Sequence, residues 1–507
     1  MGISRLKTAL LGLCYSQALW LWACDVGSRE HTPPSQAGTE AIASTPAALA
    51  AENDAPSYCP DPPNYAAGDK VEAFTSPTGF FNVHFTRKGV HAVPMADSDR
   101  DGTPDYVQTV AREFDAVEQF YKELGYREAR GSSRDTGARF DVYLQDFPTS
   151  ADGQYCKTQC NDDACGGYML LENDFDGRNY ASQAAAIRLV ASHEFFHAIQ
   201  AAYTVQASLN FAEGTAVWAS EAFDPDTGDL DYQVPAYLAQ PERPLGQDAT
   251  GTFDGFGYGV SLFFQYLDER YGRDVIRELW ETVTDDSWVD ALDSVLMQHD
   301  SSLAQAYGEF VQWNLYTGAR ADAEHSYAYG EDYPEVDEQS IDSGFNLETV
   351  RIFPLAARYY KLRATSPSTI AALVRVPNNG NKLGLQLGVA LEHDGHITQL
   401  ASAPMTASLR VELPLAAADT LHVVLFNTEH TGESVRPSLC IGTASEVAAC
   451  SGEATTVKAD DTGGCSVAGL QPSASGRGWW FLCGGFVLLR MRRRVKGVSP
   501  QPRSQPT

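Results

Sequence analysis

The residues with the clearest chemical potential stand together at His193-Glu194-Phe195-Phe196-His197. They lie in a stretch from about 182 to 203 that lacks Pro and Gly and is rich in Ala and branched aliphatics. This composition predicts a helix that is apolar on most sides. Residues four apart on a helix project about 40° from one another. The two imidazoles can therefore hold one cation from the same side. Glu194 stands beside the first imidazole, where its carboxylate reaches a water on the cation instead of the cation itself, so the spacing suits zinc hydrolysis. The alternative is a pair of hydrogen-bonded core histidines.

A second segment follows, Asn210-Phe211-Ala212-Glu213-Gly214-Thr215-Ala216-Val217-Trp218-Ala219-Ser220-Glu221. With the first it resembles the gluzincin metallopeptidases, whose aminopeptidases carry a similar Asn-Glu-Gly-Phe-Ala stretch. The resemblance implies zinc held by His193, His197 and Glu213, with Glu194 as general base. Two neutral imidazoles and one carboxylate leave a fourth zinc position open to water. Glu213 also reads as a solvated carboxylate at a helix start. Glu221 is a second candidate ligand, or a group that orients His193 from behind. Gluzincins carry an acidic partner four residues after the ligand glutamate; Val217 stands there instead, which leaves the group supporting the histidines undetermined. Phe256-Gly257-Tyr258-Gly259 resembles their Tyr-x-x-Gly helix opening, with a different glycine spacing. It implies Tyr258 as a donor to the oxyanion, against the reading of a core or surface tyrosine.

Upstream, Asp97-Ser98-Asp99-Arg100-Asp101-Gly102-Thr103-Pro104-Asp105 has the D-x-D-x-D-G pattern of a calcium loop. Asp97, Asp99 and Asp101 converge on one hard cation, and Thr103 and Asp105 can add oxygens. The stretch resembles thrombospondin type 3 repeats more than an EF-hand, because Gln108 replaces the bidentate Glu. An acidic turn before a helix that opens at Pro104 is the competing reading. Together with an Asp-Val-Tyr strand at Asp141, these motifs resemble an uncharacterised group of exported myxobacterial proteins assigned as metalloproteases.

The 507-residue chain has a formal charge of -29. Such a charge argues against nucleic acid, which needs a basic face, and suits a secreted, monomeric protein. Residues 1–24 read as a signal peptide. Cys24 ends a stretch resembling a bacterial lipobox and is a candidate for lipidation. Cys465 precedes a short apolar run and an arginine cluster, a plan that resembles the myxobacterial C-terminal sorting signal. Its apolar core falls short of the ~20 residues a spanning helix needs, and a simple tail anchor is the alternative. Both readings place the protein outside the cytoplasm, at the cell surface or released, with the membrane reached through the tail or a lipid. Of ten cysteines, Cys14, Cys24, Cys465 and Cys483 fall in these end segments. The remaining six predict disulfides: Cys440 with Cys450, and Cys59, Cys156, Cys160 and Cys165 in any of three pairings.

The expected fold class is an α+β zincin-like domain, a mixed sheet plus helices, followed by an all-β antiparallel sandwich. The expected divisions are a signal peptide at 1–24, a disordered linker or pro-segment at 25–67, the catalytic domain at 68–335, the sandwich at 345–450, a linker at 451–464, the sorting or anchor signal at 465–496 and a tail at 497–507. Strands are expected near Phe80–Thr86, Arg139–Leu144 and Tyr168–Asn173. By resemblance to zincins the last is the substrate-binding edge. Helices are expected at Asp105–Leu124 and at about 256–270, 275–283, 289–296 and 303–315, with 224–255 a loop over the cleft. Trp280, Trp288 and Trp313 read as core. His84 reads as a strand-face residue, and His393, His396, His422 and His430 show no ligand spacing. The function expected is a surface-associated zinc endopeptidase. A non-catalytic surface-binding protein and a zinc hydrolase of a non-peptide cell-wall bond are the alternatives.

Overall fold

Alternation of apolar side chains builds the first sheet. Its strands are β1 (Val71–Thr75), β2 (Phe81–Thr86), β3 (Phe140–Gln145), β4 (Gly153–Cys160) and β5 (Cys165–Glu172), in the order β1-β2-β3-β5-β4. β2, β3 and β5 run parallel, and β1 and β4 pair antiparallel with their neighbours, so the sheet is mixed. The structure, a computed structural model, describes residues 68–450 apart from short breaks at 133–138, 148–150, 162, 248–254, 284–286, 377–383 and 405–407. Cys59, Tyr65 and a strand at 455–458 are also described. The expected signal peptide with Cys14 and Cys24, the linker before Cys59, a turn expected at Asn378-Asn379-Gly380 and the tail with Cys465 and Cys483 lie outside these residues.

β5, expected at the edge, lies inside the sheet and is buried along its whole length. The edge is β4, where the sequence suggested only a cysteine loop. Lys157, Thr158 and Gln159 interrupt the alternation in β4, and a bulge between Lys157 and Gln159 breaks its register. Cys160–Cys165 closes this hairpin, Cys59–Cys156 ties the start of the described chain to β4, and Cys440–Cys450 is the third bridge.

Two helices cover one face of the sheet. Helix α1 (Asp105–Glu123) contributes Phe114 and α2 (Gln183–Gln200) contributes Phe195. Phe195 lies 5.2 Å from Phe81 and 5.4 Å from Phe140, ring centre to ring centre. Pro104 is the residue before the first turn of α1, which opens at Asp105 as expected.

The helical half follows as α3 (Leu209–Phe223), α4 (Asp229–Leu238), α5 (Gly255–Gly259), α6 (Ser261–Tyr271), α7 (Asp274–Thr282), α8 (Trp288–Gln298) and α9 (Leu303–Trp313). The ring of Phe211 stacks on Trp280 at 4.0 Å and faces Trp288 at 5.6 Å. Trp313 meets Tyr266 edge-on, so all three tryptophans serve the core. The expected loop at 224–255 contains α4. Its Asp, Gly and Pro content hides a helix whose first turn carries Asp229 and Asp231, and whose interior accommodates Pro235.

Among the described residues ten further strands and one helix follow: β6 (Gln339–Ser340), β7 (Phe345–Leu347), β8 (Ala356–Arg363), β9 (Ser368–Arg375), β10 (Leu385–His393), β11 (His396–Pro404), β12 (Ser408–Leu415), β13 (Thr420–Asn427), β14 (Ser438–Thr443), α10 (Ala444–Ala449) and β15 (Thr455–Lys458). They form two sheets, β11-β10-β13-β8-β6 and β15-β12-β9-β14-β7. All their pairs are antiparallel except β6–β8 and β12–β15. β15 occupies residues expected in a linker. One core joins the sheets through Leu387, Val423 and Leu425 on the first and Val374, Leu413 and Ile441 on the second. Ala357, Tyr359, Val424 and Phe426 on the other face of the first sheet belong to the same core as the helices. Among the described residues no helix is long and apolar enough to cross a membrane.

Candidate metal centre

The site is assembled on α2, α3, α4 and the edge strand. Ser182 caps α2 by accepting the Ala185 amide at 3.1 Å. The Tyr121 hydroxyl fixes the same helix to α1 by donating to the Ser192 carbonyl at 2.9 Å. With Phe195 committed to the sheet, His193 and His197 project together from another side, their ring centres 5.1 Å apart.

α3 brings Glu213 to both rings. Its Oε2 lies 3.4 Å from His193 Nε2 and 3.5 Å from His197 Nε2. Gly214 permits the close approach of α3 to α6. A Cβ there would meet the Phe264 ring at 2.9 Å and the Ser261 nitrogen at 3.3 Å. Glu213 Oε2 is buried and accepts no hydrogen bond; at these separations it is an ion-pair partner only. Zinc bonds of 2.0–2.1 Å in a tetrahedron set ligand atoms roughly 3.3–3.5 Å apart. Both separations from Glu213 match that ligand spacing.

The far nitrogens of both imidazoles are occupied. His193 Nδ1 lies 3.4 Å from Asp229 Oδ2, which also accepts from the Ser220 hydroxyl at 2.6 Å. His197 Nδ1 lies 2.8 Å from Gln200 Oε1. Asp229, Ser220 and Gln200 were not assigned roles from sequence. Asp229 stands in a stretch read as a loop, and a neutral glutamine carries no motif. The helical spacing of Gln200 from His197, three residues, was the one available signal.

Burial alone would depress both imidazoles. Asp229 and Glu213 outweigh it at His193 and hold that ring well above the ordinary range. Glu213 and Glu194 outweigh it at His197 too and hold that ring above its ordinary value, against the opposing charge of His193. Burial opposes the charge on Glu213, but the two rings hold it well below the usual carboxylate range. The pocket thus concentrates negative charge that demands a cation, whether protons or a metal ion.

Glu194 is close to both histidines. One ligand atom from each of His193, Glu194 and His197 lies within 4.8 Å of the others. Its Oε2 accepts the Tyr155 amide of β4 at 3.0 Å. Gly153 lets the strand come this near, since a Cβ there would sit 2.4 Å from Val190 Cγ1 and 3.1 Å from Glu194 Cγ. Tyr258, on α5, stacks over His193 at 6.2 Å with the rings inclined by 18°. Burial, then the carboxylates of Glu213 and Glu194, push its hydroxyl above the ordinary phenol range. It remains a proton donor at neutral pH.

Glu221 is not brought to the two rings. Burial, then Asp231 and Asp229, push it up to about 8, so it stays largely protonated at neutral pH. At the upstream loop Asp97, Asp99 and Asp101 converge. Asp105 turns away, with both its oxygens engaged by Ser98 at 2.9 and 2.6 Å. The Thr103 amide donates to Asp101 at 2.7 Å. The Gln108 amide donates to Asp99 and Asp101 at 3.1 and 3.0 Å. His84 pairs with Asp141 at 2.8 Å and stacks on Tyr143, a strand-face role as expected.

No family model and no curated protein matches the chain. Among solved structures it is similar to the pre-peptidase C-terminal domain of a collagenase from Bacillus anthracis, with 9% identity over 21% of this chain and 94% of that one, at a TM-score of 0.18. A family 35 carbohydrate-binding module from an environmental isolate shares 18% identity over 21% of this chain and 81% of that one, at 0.15. A family GH115 glucuronidase shares 8% identity over 52% and 38%, also at 0.15. Likenesses at these scores carry no argument about this protein.

Proposed function

We propose that the protein is an exported zinc-dependent peptidase of the gluzincin type, with a zincin-like fold around α2 and the mixed sheet. The observation that carries this reading is the position of Glu213 Oε2, buried, without a hydrogen bond, and nearly equidistant from the two Nε2 atoms. His193, His197 and Glu213 would hold the ion. When bound, zinc supplies Lewis acidity that activates water near neutral pH. Glu194 accepts the proton of the attacking water at its carboxylate and passes it to the departing amine. Tyr258 keeps its proton and donates a hydrogen bond to the oxyanion. Asp229 and Gln200 hold the Nδ1 sides of the two rings, which leaves both Nε2 lone pairs for the ion. Three disulfides support an oxidising compartment. We extend the proposal to calcium at Asp97, Asp99 and Asp101.

The test is elemental analysis together with cleavage of casein and of a peptide library, with and without chelator. Wild type should carry about one zinc and lose cleavage on chelation. Glu194→Gln should keep the zinc and lose turnover by ~10³-fold or more, within the range for general-base removal combined with altered water binding. Tyr258→Phe should keep the zinc and lose roughly 10²-fold. A zinc-free wild type, or a Glu194→Gln enzyme that cleaves at wild-type rate, would refute the reading.

A further inference from the structure

We infer that Gln200 is a positioning residue that sets both the second histidine and the helix carrying the third ligand. The inference rests on the zinc reading above and assigns a role to a side chain that touches neither ion nor substrate. The hydrogen bonds of Gln200 leave one arrangement of its amide. The NH₂ group donates to the Ala212 carbonyl at 2.8 Å and to Thr215 Oγ1 at 3.1 Å. Thr215 spends its own proton on the Phe211 carbonyl at 2.7 Å, so its oxygen is free to accept. Both amide hydrogens are therefore spent on α3, and the amide oxygen is the atom that meets His197 Nδ1 at 2.8 Å.

An acceptor at that place requires the proton on Nδ1. In the neutral ring this leaves the lone pair on Nε2, the atom that faces Glu213. The same side chain grips α3 at positions 212 and 215, on either side of Glu213. One glutamine thus fixes the tautomer of one ligand and the rotation of the helix that presents another. Gln200 is 5% exposed and Thr215 is fully buried, so water does not compete for these bonds. His193 is served differently, by the carboxylate of Asp229. Glutamate at 200 could still accept from Nδ1, but it could not donate to Ala212 or Thr215.

The experiment is chelator-competition titration of zinc on the full protein, with thermal melting and ¹⁵N spectra of labelled histidines in the zinc-free form at a pH high enough for both rings to be neutral. Gln200→Met should melt near wild type, bind zinc 10–100-fold more weakly, and lose the Nδ1–H signature of His197 while His193 keeps its own. Gln200→Glu should retain the Nδ1–H signature yet still bind more weakly, because α3 is released. Thr215→Val removes one anchor only and should give a smaller loss of affinity at unchanged melting temperature; it decides the matter if the Gln200 variants do not fold. Zinc bound by Gln200→Met, or by Thr215→Val in that case, within twofold of wild type overturns this inference alone. A wild type that binds no zinc overturns the metal reading on which it stands.

Discussion

Glu221 shows how far two turns of a helix can change a carboxylate. It lies on the same helix as Glu213, two turns on. Glu213 faces two imidazoles and is held ionised, whereas burial, then Asp231, Asp229, Asp224 and Asp226, push Glu221 up to about 8. An unfolded glutamate titrates near 4.3. Between that pH and 8 the native state binds the extra proton, so folding stability falls as pH rises through this window. Glu221→Gln should remove that component. Its melting temperature should drop less than that of wild type between pH 6 and pH 9, and parallel melting curves would contradict the assignment. The His-Glu-x-x-His spacing was legible in sequence because helical geometry alone puts both rings on one side. Asp229 and Ser220 were not, because only the path of the chain into α4 sets them behind His193.

At the scale of elements, the contact between β4 and α2 governs the candidate base. Gly153 is the hinge of that contact, and its value lies in lacking a side chain. Gly153→Ala should drive the strand off Val190 and break the Tyr155–Glu194 hydrogen bond, costing about 1–3 kcal/mol in a urea melt and most of the activity. Adding Val190→Ala removes the atom 2.4 Å away and should recover part of both. An unaltered Gly153→Ala protein would show that the strand shifts freely. Helices with a strong apolar period, such as α1 and α9, were readable to within a few residues. β4 was not, because a bulge and two cysteines mask its alternation, and α4 was not, because its composition is that of a turn.

At the scale of the molecule, the sheet β11-β10-β13-β8-β6 is apolar on both faces. One face meets the second sheet and the other meets the helical half, where the Tyr359 hydroxyl donates to the Val311 carbonyl at 2.9 Å. The Ala357 amide donates to the Pro241 carbonyl and the Leu245 amide to the Leu355 carbonyl, each at 2.9 Å. Arg320 and His422 meet the buried Glu338, each at 2.7 Å, a role for His422 that its spacing in sequence did not suggest. The alternation of β10 and β12 and the apolar run of β13 are plain from sequence, but a strand pattern does not say how many neighbours a sheet has. A chain ending at Ser340 should therefore fail to fold, with no near-ultraviolet circular dichroism, and Phe426→Ala should cost about 3–5 kcal/mol. A soluble, sharply melting shortened chain would show the two parts to be independent. The Cys59–Cys156 bridge carries a different consequence. It makes a covalent noose of the chain between two cysteines 97 positions apart. A protease that nicks the backbone inside that noose would yield two polypeptides still travelling as one particle, and only a reductant would part the strand beside Glu194 from its leash.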